Sequence, residues 1–306
     1  MLYDILIAGG GVAGLTAAMY AQRSGLTALV VERLFPGGQA ALTYEIENYP
    51  GLQAMTGPDL ALAFEQHARK CGAMIVNAEI NSVELEGQPK LFKTSEGDFT
   101  GRAVIITTGA RPRLLGIDGE RELTGRGVSY CATCDGAFFR GKNVAVIGGG
   151  NTAVEDALFL ARMCETVNLI HRRDQFRADK RLSERLADFD NIKLMMNTVP
   201  EYIQGQEHVT GLAVQNKETD EKHVIALDGV FVAVGTVPNN SLFSDMLATE
   251  GGYIVTDKYM RASIPGVFAA GDIRNTPLRQ VITAASDGAV AAYSASEYLL
   301  ELRVES

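Results

Sequence analysis

The chain opens with a mostly apolar run, then a cluster of glycines, then a longer segment whose apolar residues recur at helical spacing. Residues 3–8 predict a strand buried on both faces. The glycines of "AGGGVAG" predict a tight turn into a helix, and "ALVVE" predicts a second buried strand that ends at Glu32. This strand–turn–helix–strand order is typical of an α/β dinucleotide-binding unit.

The same order recurs in the middle of the chain. Residues 143–147 predict a strand, a glycine turn and a helix to about residue 163 follow, and residues 167–170 predict the next strand. A chain of 306 residues is long enough for two domains. We therefore expect an α/β protein with two Rossmann-like, three-layer dinucleotide-binding domains.

Proline-containing breaks suggest that the second domain is inserted into the first. Residues 104–109 and 229–235 read as buried strands, and each is followed by a proline, Pro112 and Pro238. The predicted boundaries are 1–112 and 240–306 for a discontinuous FAD domain and 113–239 for an NADPH domain. The two connections could act as a hinge. Residues 78–101 and 208–228 alternate as antiparallel strands do.

The first turn has the chemistry of a phosphate-binding loop. Gly9, Gly11 and Gly14 fit G-x-G-x-x-G, in which the glycines allow the tight turn, the approach of a pyrophosphate and close packing of helix on strand. The helix N-terminus offers unpaired N–H groups to phosphate. Glu32 can accept hydrogen bonds from a ribose 2′-hydroxyl, which favours FAD or NAD over NADP.

The second turn carries a different signal. Gly148, Gly150 and Ala153 give the G-x-G-x-x-A variant, but the place of the ribose acid is taken by a basic group. This group consists of His171, Arg172, Arg173 and Arg177. Guanidinium groups clamp a 2′-phosphate well, so we expect NADPH here, with a solvated basic turn as the alternative.

Two different dinucleotide sites imply a hydride donor and its acceptor. A dinucleotide with a free 2′-hydroxyl that accepts hydride from NADPH is FAD. "GVFAAGDI" supports this reading, because Asp272 follows a short strand at the end where open α/β sheets bind ligands. Alone, Gly-Asp is only a turn signal.

Composition limits the partners. The net charge of −9 and the pI near 5.1 argue against nucleic acid or an anionic membrane as the main partner. No apolar run approaches the roughly 20 residues of a spanning helix. Four cysteines are too few for a secreted disulfide scaffold, so we expect a cytoplasmic protein.

The stretch "CATCDG" holds two of the cysteines, Cys131 and Cys134. A zinc site is disfavoured, because Cys71 and Cys164 are single, read as small core residues, and the histidines show no paired spacing. A thioredoxin-like fold is disfavoured too, because the pair directly precedes a nucleotide unit. The remaining interpretation is a disulfide that a bound flavin reduces. Asp135 could then shuttle a proton, or it could only form the turn.

These motifs resemble the bacterial, low-molecular-weight thioredoxin reductases, a branch of the class II pyridine nucleotide-disulfide oxidoreductases. The resemblance is carried by CxxCDG before a nucleotide fingerprint, by "HRRDQFRA", and by "PGGQ", "ENYPG", "AAGDI" and "RQVITAA". It runs essentially from end to end. Val12 and the pair Ser286-Asp287 depart from the family pattern without removing a needed chemical group.

The resemblance implies a path from NADPH through the flavin and the Cys131–Cys134 disulfide to thioredoxin, with Asp135 as acid and base. Cys134 would face the flavin and Cys131 would attack thioredoxin. It also implies rotation of the inserted domain between half-reactions, a homodimer, and a docking loop that includes Arg126, Phe138 and Phe139. The FAD residues would be Gly9, Gly11, Gly14, Glu32, Gly38, Gln39, Asn48, Asp272 and Gln280. The NADPH residues would be Gly150, Thr152, Ala153, His171, Arg172, Arg173 and Arg177.

Three alternatives remain open at this point. The chain could serve a peroxiredoxin or a specialised redoxin, although such enzymes usually carry an extra N-terminal region and the first fingerprint here begins at Gly9. It could take electrons from ferredoxin, against which the arginine cluster argues. It could be a redox sensor without turnover, because sensors also use cysteine pairs.

Overall fold

The computed structural model describes residues 1–43 and 45–304. The chain divides into two compact units. The outer unit consists of Met1–Arg111 and Val237–Ser306, and the inserted unit consists of Pro112–Thr236. The strands Ala110–Pro112 and Thr236–Pro238 pair with one another where the chain enters and leaves the inserted unit.

The outer unit is built on a seven-stranded sheet with a parallel centre. The spatial order of its strands is Met74–Asn77, Ala28–Glu32, Leu2–Ala8, Gly97–Ile106, Lys90–Thr94 and Ile80–Glu84, and Val267–Ala269 also pairs with Gly97–Ile106. Its helices are Val12–Arg23, Gly57–Lys70 and Val281–Val304, with 3₁₀ turns at Gly38–Leu42 and Gly271–Ile273. Thr249–Glu250 and Tyr253–Ile254 form a small hairpin.

The inserted unit repeats this plan on a smaller scale. Its five-stranded parallel sheet has the order Ile192–Met195, Thr166–Ile170, Asn143–Ile147, Gly229–Val232 and Val128–Ser129. A second, antiparallel sheet consists of Thr198–Gly205, Val209–Asn216 and Lys222–Ala226. The helices are Ala132–Asp135, Asn151–Ala161 and Lys180–Glu184, with 3₁₀ turns at Gly136–Phe139 and Arg185–Asp188. The predicted α/β class is confirmed.

Both faces of the central strands are buried, as their apolar sequences indicate. In the outer unit, Ile5 and Ile7 pack in one apolar cluster, whereas Leu6 and Ala8 pack in another. The strand Asn143–Ile147 of the inserted unit also sends alternate residues into two clusters. A sheet covered on both sides gives the three-layer arrangement, because each face must be shielded from water.

Two predicted strands are shorter than their apolar runs. The runs 104–109 and 229–235 end as strands at Ile106 and Val232. Each run continues into a glycine with positive φ, +66° in the first and +106° in the second. Apolar character marks burial in these segments, and the backbone has already left the extended conformation.

The two remaining cysteines differ from one another. Cys164 is buried in the core of the inserted unit, as predicted, and burial raises the pKa of its thiol to about 11. Cys71 caps the C-terminus of the helix Gly57–Lys70 and is only half-buried, so its prediction as a core residue is wrong. An apolar helix predicts burial for its inner face, not for its last turn.

The helices Val12–Arg23 and Val281–Val304 pack closely at small residues. A Cβ atom on Gly288 would lie 2.2 Å from the carbonyl oxygen of Ala13. This contact places the start of the last helix against the first nucleotide turn. None of the helices in the described part of the chain is long and apolar enough to cross a membrane.

Gly288→Ala is expected to destabilise the protein. Helix propensity alone would favour alanine by about 1 kcal/mol, but the added methyl group clashes with backbone and overpacking costs roughly 1–3 kcal/mol. Urea unfolding of the flavin-loaded protein measures the difference. Ser286→Ala on the exposed side of the same helix is the control and should change stability little. A stabilised Gly288→Ala variant would show that the two helices are not in contact at this site.

Candidate functional site

The first nucleotide turn leaves the N-terminus of its helix open. Gly9 has φ +104°, and a Cβ on Gly14 would lie only 2.0 Å from the Gly9 carbonyl oxygen, so helix and strand approach through glycine. Gly11 stands at the N-cap without a side-chain cap, and a Cβ there would meet only Gly38, at 3.9 Å. The turn therefore has the free N–H groups and the open space that a pyrophosphate needs.

Glu32 lies beside this turn, at the end of its strand. Its Oε2 accepts a hydrogen bond of 2.7 Å from the Gly10 N–H, and its Oε1 accepts one of 2.9 Å from the Leu34 N–H. A carboxylate oxygen keeps a further lone pair after one such bond. The fixed carboxylate is therefore able to accept from a ribose hydroxyl.

The segment with Gly38 and Gln39 is tied to the same turn. The Gly37 N–H donates to the Gly10 carbonyl at 2.8 Å, and a Cβ on Gly38 would lie 3.1 Å from the Gly11 Cα. Gln39 follows with an exposed side chain. The Gly37–Gly38 segment therefore lies against the first nucleotide turn.

Asn48 and Gln280 also come together, although 232 positions separate them. The Asn48 Nδ2 donates to the Gln280 Oε1 at 2.9 Å. Apolar residues beside the pair, from the first helix, the Gly57–Lys70 helix and the last helix, form one small cluster. The two amides therefore belong to one side of the outer unit.

Asp272 lies in the 3₁₀ turn after the strand Val267–Ala269, and a Cβ on its neighbour Gly271 would lie 3.0 Å from the Ala13 Cβ. None of the described residues donates a hydrogen bond to the half-buried Asp272 carboxylate. Burial raises the pKa of the Asp272 carboxyl group. The nearby Arg279 opposes this effect, and the negative charge of Asp287 adds to it. A desolvated carboxylate without a donor beside the nucleotide turn fits a ligand hydroxyl, so the outer unit fits FAD.

The sequence analysis named Asp287 only as a departure from the family pattern and missed its role and its partner Arg274 in holding this turn. Asp287 accepts from the Gly271 N–H at 3.1 Å and from the Arg274 guanidinium at 3.0 Å, and both charged side chains are largely buried. Asp287 is the first charged residue of a helix that begins with apolar and small residues, and this was the available signal. Another unforeseen residue, Arg279, stacks its guanidinium on the Tyr253 ring at 4.2 Å.

The second nucleotide turn lies against His171. A Cβ on Gly149 would fall 2.1 Å from the imidazole ring, so only glycine fits there. The ring is buried, its Nε2 lies 3.1 Å from the Gln175 carbonyl, and it stacks on Phe176. Burial lowers the pKa of His171, and the nearby arginines lower it further. The buried imidazole therefore packs directly against the second nucleotide turn.

The three arginines have exposed side chains, and none of them forms a salt bridge within the described residues. The Arg177 N–H donates to the Gly149 carbonyl at 2.7 Å. Thr152 is exposed on the first helical turn, whereas Ala153 is buried against the strand. A Cβ on Gly150 would meet no atom within 4 Å. Open space and unpaired cations together fit the phosphates of NADPH.

The cysteine pair is closed as a Cys131–Cys134 disulfide at the start of a short helix. The Ser129 hydroxyl holds this helix at two points. It donates to the Asp135 Oδ2 at 2.5 Å and accepts from the Cys131 N–H at 3.1 Å. Sequence reasoning did not include Ser129, although a serine two positions before the first cysteine was the signal.

Asp135 is half-buried beside Cys134. Burial raises the pKa of its carboxyl group, and the Ser129 hydrogen bond partly opposes this by stabilising the carboxylate. The protonated form therefore persists to a higher pH than it does for an exposed aspartate. Such a group can deliver a proton to a leaving thiolate.

The predicted docking side chains fall into two groups. Arg126 is exposed and Phe138 is half-buried. Phe139 is 8% exposed, packs edge-on against Phe231 with 5.1 Å between ring centroids, and belongs to the core. The prediction of Phe139 as a docking residue is therefore wrong, because its ring has no free surface to offer. Two adjacent aromatic residues in a 3₁₀ turn cannot both face solvent while the unit keeps its core.

Comparisons with known proteins agree with this geometry. The family model described as pyridine nucleotide-disulphide oxidoreductase matches residues 3–288. Thioredoxin reductase of Bacillus subtilis (strain 168) is 42% identical over 304 residues, which are 99% of this chain and 96% of that protein.

Two solved structures extend the comparison. Thioredoxin reductase from Streptococcus pyogenes MGAS5005 has 42% identity, covers 98% of this chain and 99% of its own, and superposes with a TM-score of 0.93. Lactococcus lactis thioredoxin reductase in the FR conformation has the same identity and coverage with a TM-score of 0.68. The resemblance noted in the motifs is confirmed, and the chain belongs to the pyridine nucleotide-disulphide oxidoreductase family.

Proposed function

We propose that this chain is an NADPH-dependent flavoenzyme that reduces the disulfide of thioredoxin. The observation that carries the proposal is the Cys131–Cys134 disulfide with the half-buried Asp135 beside it, in a chain similar along its whole length to thioredoxin reductases. The inserted unit also holds a basic nucleotide turn, so one unit carries both the reductant site and the disulfide.

The two cofactors have different sites. When bound, FAD supplies a two-electron carrier between the hydride of NADPH and the disulfide. In the outer unit, the open turn at Gly11 would hold its pyrophosphate, Glu32 its ribose, and Asp272 another of its hydroxyl groups. The remaining residues of this site are Gly9, Gly14, Gly38, Gln39, Asn48 and Gln280. In the inserted unit, Gly150, Thr152 and the arginines would hold NADPH, while Ala153 and His171 shape the turn.

The cysteines perform a balanced exchange. Two electrons and two protons convert the Cys131–Cys134 disulfide to a dithiol. The Cys131 thiolate then attacks the thioredoxin disulfide, which forms a mixed disulfide and expels a thiolate of thioredoxin. Cys134 attacks the Cys131 sulfur of the mixed disulfide, so the internal bond re-forms and thioredoxin leaves as a dithiol. Asp135 donates a proton to a leaving thiolate and takes it back from a thiol in the other half of the cycle.

Turnover requires a change of arrangement in this proposal. The disulfide and the NADPH turn both belong to the inserted unit, and both must exchange electrons with one flavin held by the outer unit. Rotation about the two Pro-containing connections would present them in turn. Two solved relatives of equal identity superpose on this chain with TM-scores of 0.93 and 0.68, which supports a family with more than one arrangement.

We also propose a cytoplasmic homodimer. Exposed apolar side chains lie on three packed helices of the outer unit, and these are Tyr20, Leu62, Tyr293 and Leu300. A second copy would remove this surface from water. Sedimentation equilibrium of the flavin-loaded protein measures its mass; a monomer at micromolar concentration contradicts the dimer and leaves the redox proposal unaffected.

Anaerobic titration tests the central proposal. NADPH should bleach the flavin absorbance of the loaded protein, and oxidised thioredoxin should restore it. NADH at the same concentration should reduce the flavin far more slowly. Bleaching without recovery by thioredoxin would point to another disulfide partner, and no bleaching by NADPH would contradict the proposed reductant.

Asp135→Asn should slow reoxidation of the dithiol by thioredoxin by roughly 10²-fold, because general acid catalysis contributes about 10²–10⁴-fold. The wild-type rate should fall as pH rises through the raised pKa of Asp135, since only the protonated form donates. The variant should lack this pH limb. Stopped-flow mixing of NADPH-reduced protein with thioredoxin over a pH series provides the measurement.

Ser129→Ala is the matched variant for Asp135. It removes the hydrogen bond that lowers the pKa of the Asp135 carboxyl group, so the descending limb should move to higher pH. If the rate falls at the same pH in the wild type, in Ser129→Ala and in Asp135→Asn, the titrating group is not Asp135.

Phe138→Ala should raise the KM for thioredoxin about tenfold, because a truncated aromatic anchor costs at least 1–2 kcal/mol of binding. Reduction of the flavin by NADPH should not change. Phe35→Ala, which truncates an exposed phenylalanine of the outer unit, is the control. An unchanged KM for Phe138→Ala would remove Phe138 from the docking surface.

A further inference from the structure

Asn151 and Asp179 form a reciprocal hydrogen-bonded pair, named the clasp below. The Asn151 Nδ2 donates to the Asp179 Oδ2 at 3.0 Å, and the Asp179 N–H donates to the Asn151 Oδ1 at 2.8 Å. Asn151 is the first residue of the helix that follows the second nucleotide turn, and Asp179 follows the arginines. The clasp therefore joins the turn to the end of the basic segment, residues 171–179.

The Asp179 side chain is used in an unexpected way. Asp179 is the N-cap of the helix Lys180–Glu184, where aspartate normally accepts from N–H groups of its own helix. It makes no such capping bond, and its Oδ2 faces Asn151 instead. The pair is exposed, where a hydrogen bond adds only a modest amount to overall stability. Its main effect is therefore on local geometry.

The clasp completes a three-point attachment of the basic segment. At the start of the segment, the His171 ring lies against Gly149. Near its end, the Arg177 N–H donates to the Gly149 carbonyl at 2.7 Å, and two residues later Asp179 binds Asn151. Between these points lie Arg172 and Arg173, which form no salt bridge within the described residues, and the exposed Asp174. Attachment at both ends fixes the backbone from which these arginines and Arg177 project.

Bidentate recognition of phosphate depends on the position of a guanidinium group as well as on its charge. We propose that Asn151 and Asp179 are positioning residues for selectivity, which hold the arginines where they recognise the 2′-phosphate of NADPH. The inference rests on the proposed NADPH site. NADH has no 2′-phosphate, so loss of the clasp should weaken NADPH and leave NADH unchanged.

Asn151→Ala removes both hydrogen bonds without a change of charge. We expect the preference for NADPH over NADH, as the ratio of kcat/KM values for flavin reduction, to fall about tenfold, which corresponds to roughly 1.4 kcal/mol. The loss should lie in the KM for NADPH, while kcat at saturating NADPH and both constants for NADH stay the same. Asn216→Ala is the control, since it also loses two side-chain hydrogen bonds, elsewhere in the inserted unit.

A binding measurement gives a readout independent of turnover. Calorimetry of the flavin-loaded protein compares adenosine 2′,5′-bisphosphate with 5′-AMP, which lacks the 2′-phosphate. Asn151→Ala should weaken the bisphosphate about tenfold and 5′-AMP not at all, since the lost interaction involves only the 2′-phosphate. Equal weakening of both probes, or of neither, would overturn the inference.

Asp179→Asn separates geometry from charge. The asparagine keeps an oxygen that accepts from the Asn151 Nδ2 and keeps the backbone N–H, so selectivity should remain near the wild-type value. A loss as large as that of Asn151→Ala would show that the charge of Asp179, not the clasp, matters. A wild-type protein without preference for NADPH would instead contradict the proposed function itself.

Discussion

The close approach of a helix to the strand before it is the constraint on which both nucleotide sites depend. Each turn can bring free N–H groups to a phosphate only if no side chain fills the space between strand and helix. In the first turn a Cβ on Gly14 would lie 2.0 Å from the Gly9 carbonyl oxygen, and in the second a Cβ on Gly148 would lie 2.7 Å from the Ala153 Cβ. Every other element of the two sites is arranged around these contacts: Glu32 beside one turn, and the arginines beside the other.

The sequence predicted most of this architecture because glycine spacing and apolar runs have direct geometric meaning. The strand Asn143–Ile147 has the predicted bounds, and Glu32 ends its strand as expected. Strand ends were less well predicted at 104–109 and 229–235, since apolar composition reports burial and not backbone angle. Phe139 was misassigned for a related reason: a pattern of two aromatic residues does not say which one the core needs.

The polar contacts that hold the sites could not be foreseen from motifs. Ser129, Asp287 and the Asn151–Asp179 clasp act through hydrogen bonds between residues that are close only after folding. The sequence around Ser129 and Asp287 marks each of them as unusual, but it does not identify the groups that they contact. A motif names the groups that meet a ligand, whereas the groups that orient them are set by tertiary structure.

The order of segments has a consequence for synthesis. The strand Gly97–Ile106 obtains its parallel neighbour Val267–Ala269 only from chain that is translated after the whole inserted unit. The inserted unit is continuous and can fold as soon as it leaves the ribosome, while the first 111 residues wait for the strand and the helix that close their sheet. The Val104–Ile106 edge of this strand therefore stays without its Val267–Ala269 neighbour until the whole inserted unit has been translated, whereas the first half of the strand already pairs with Lys90–Thr94.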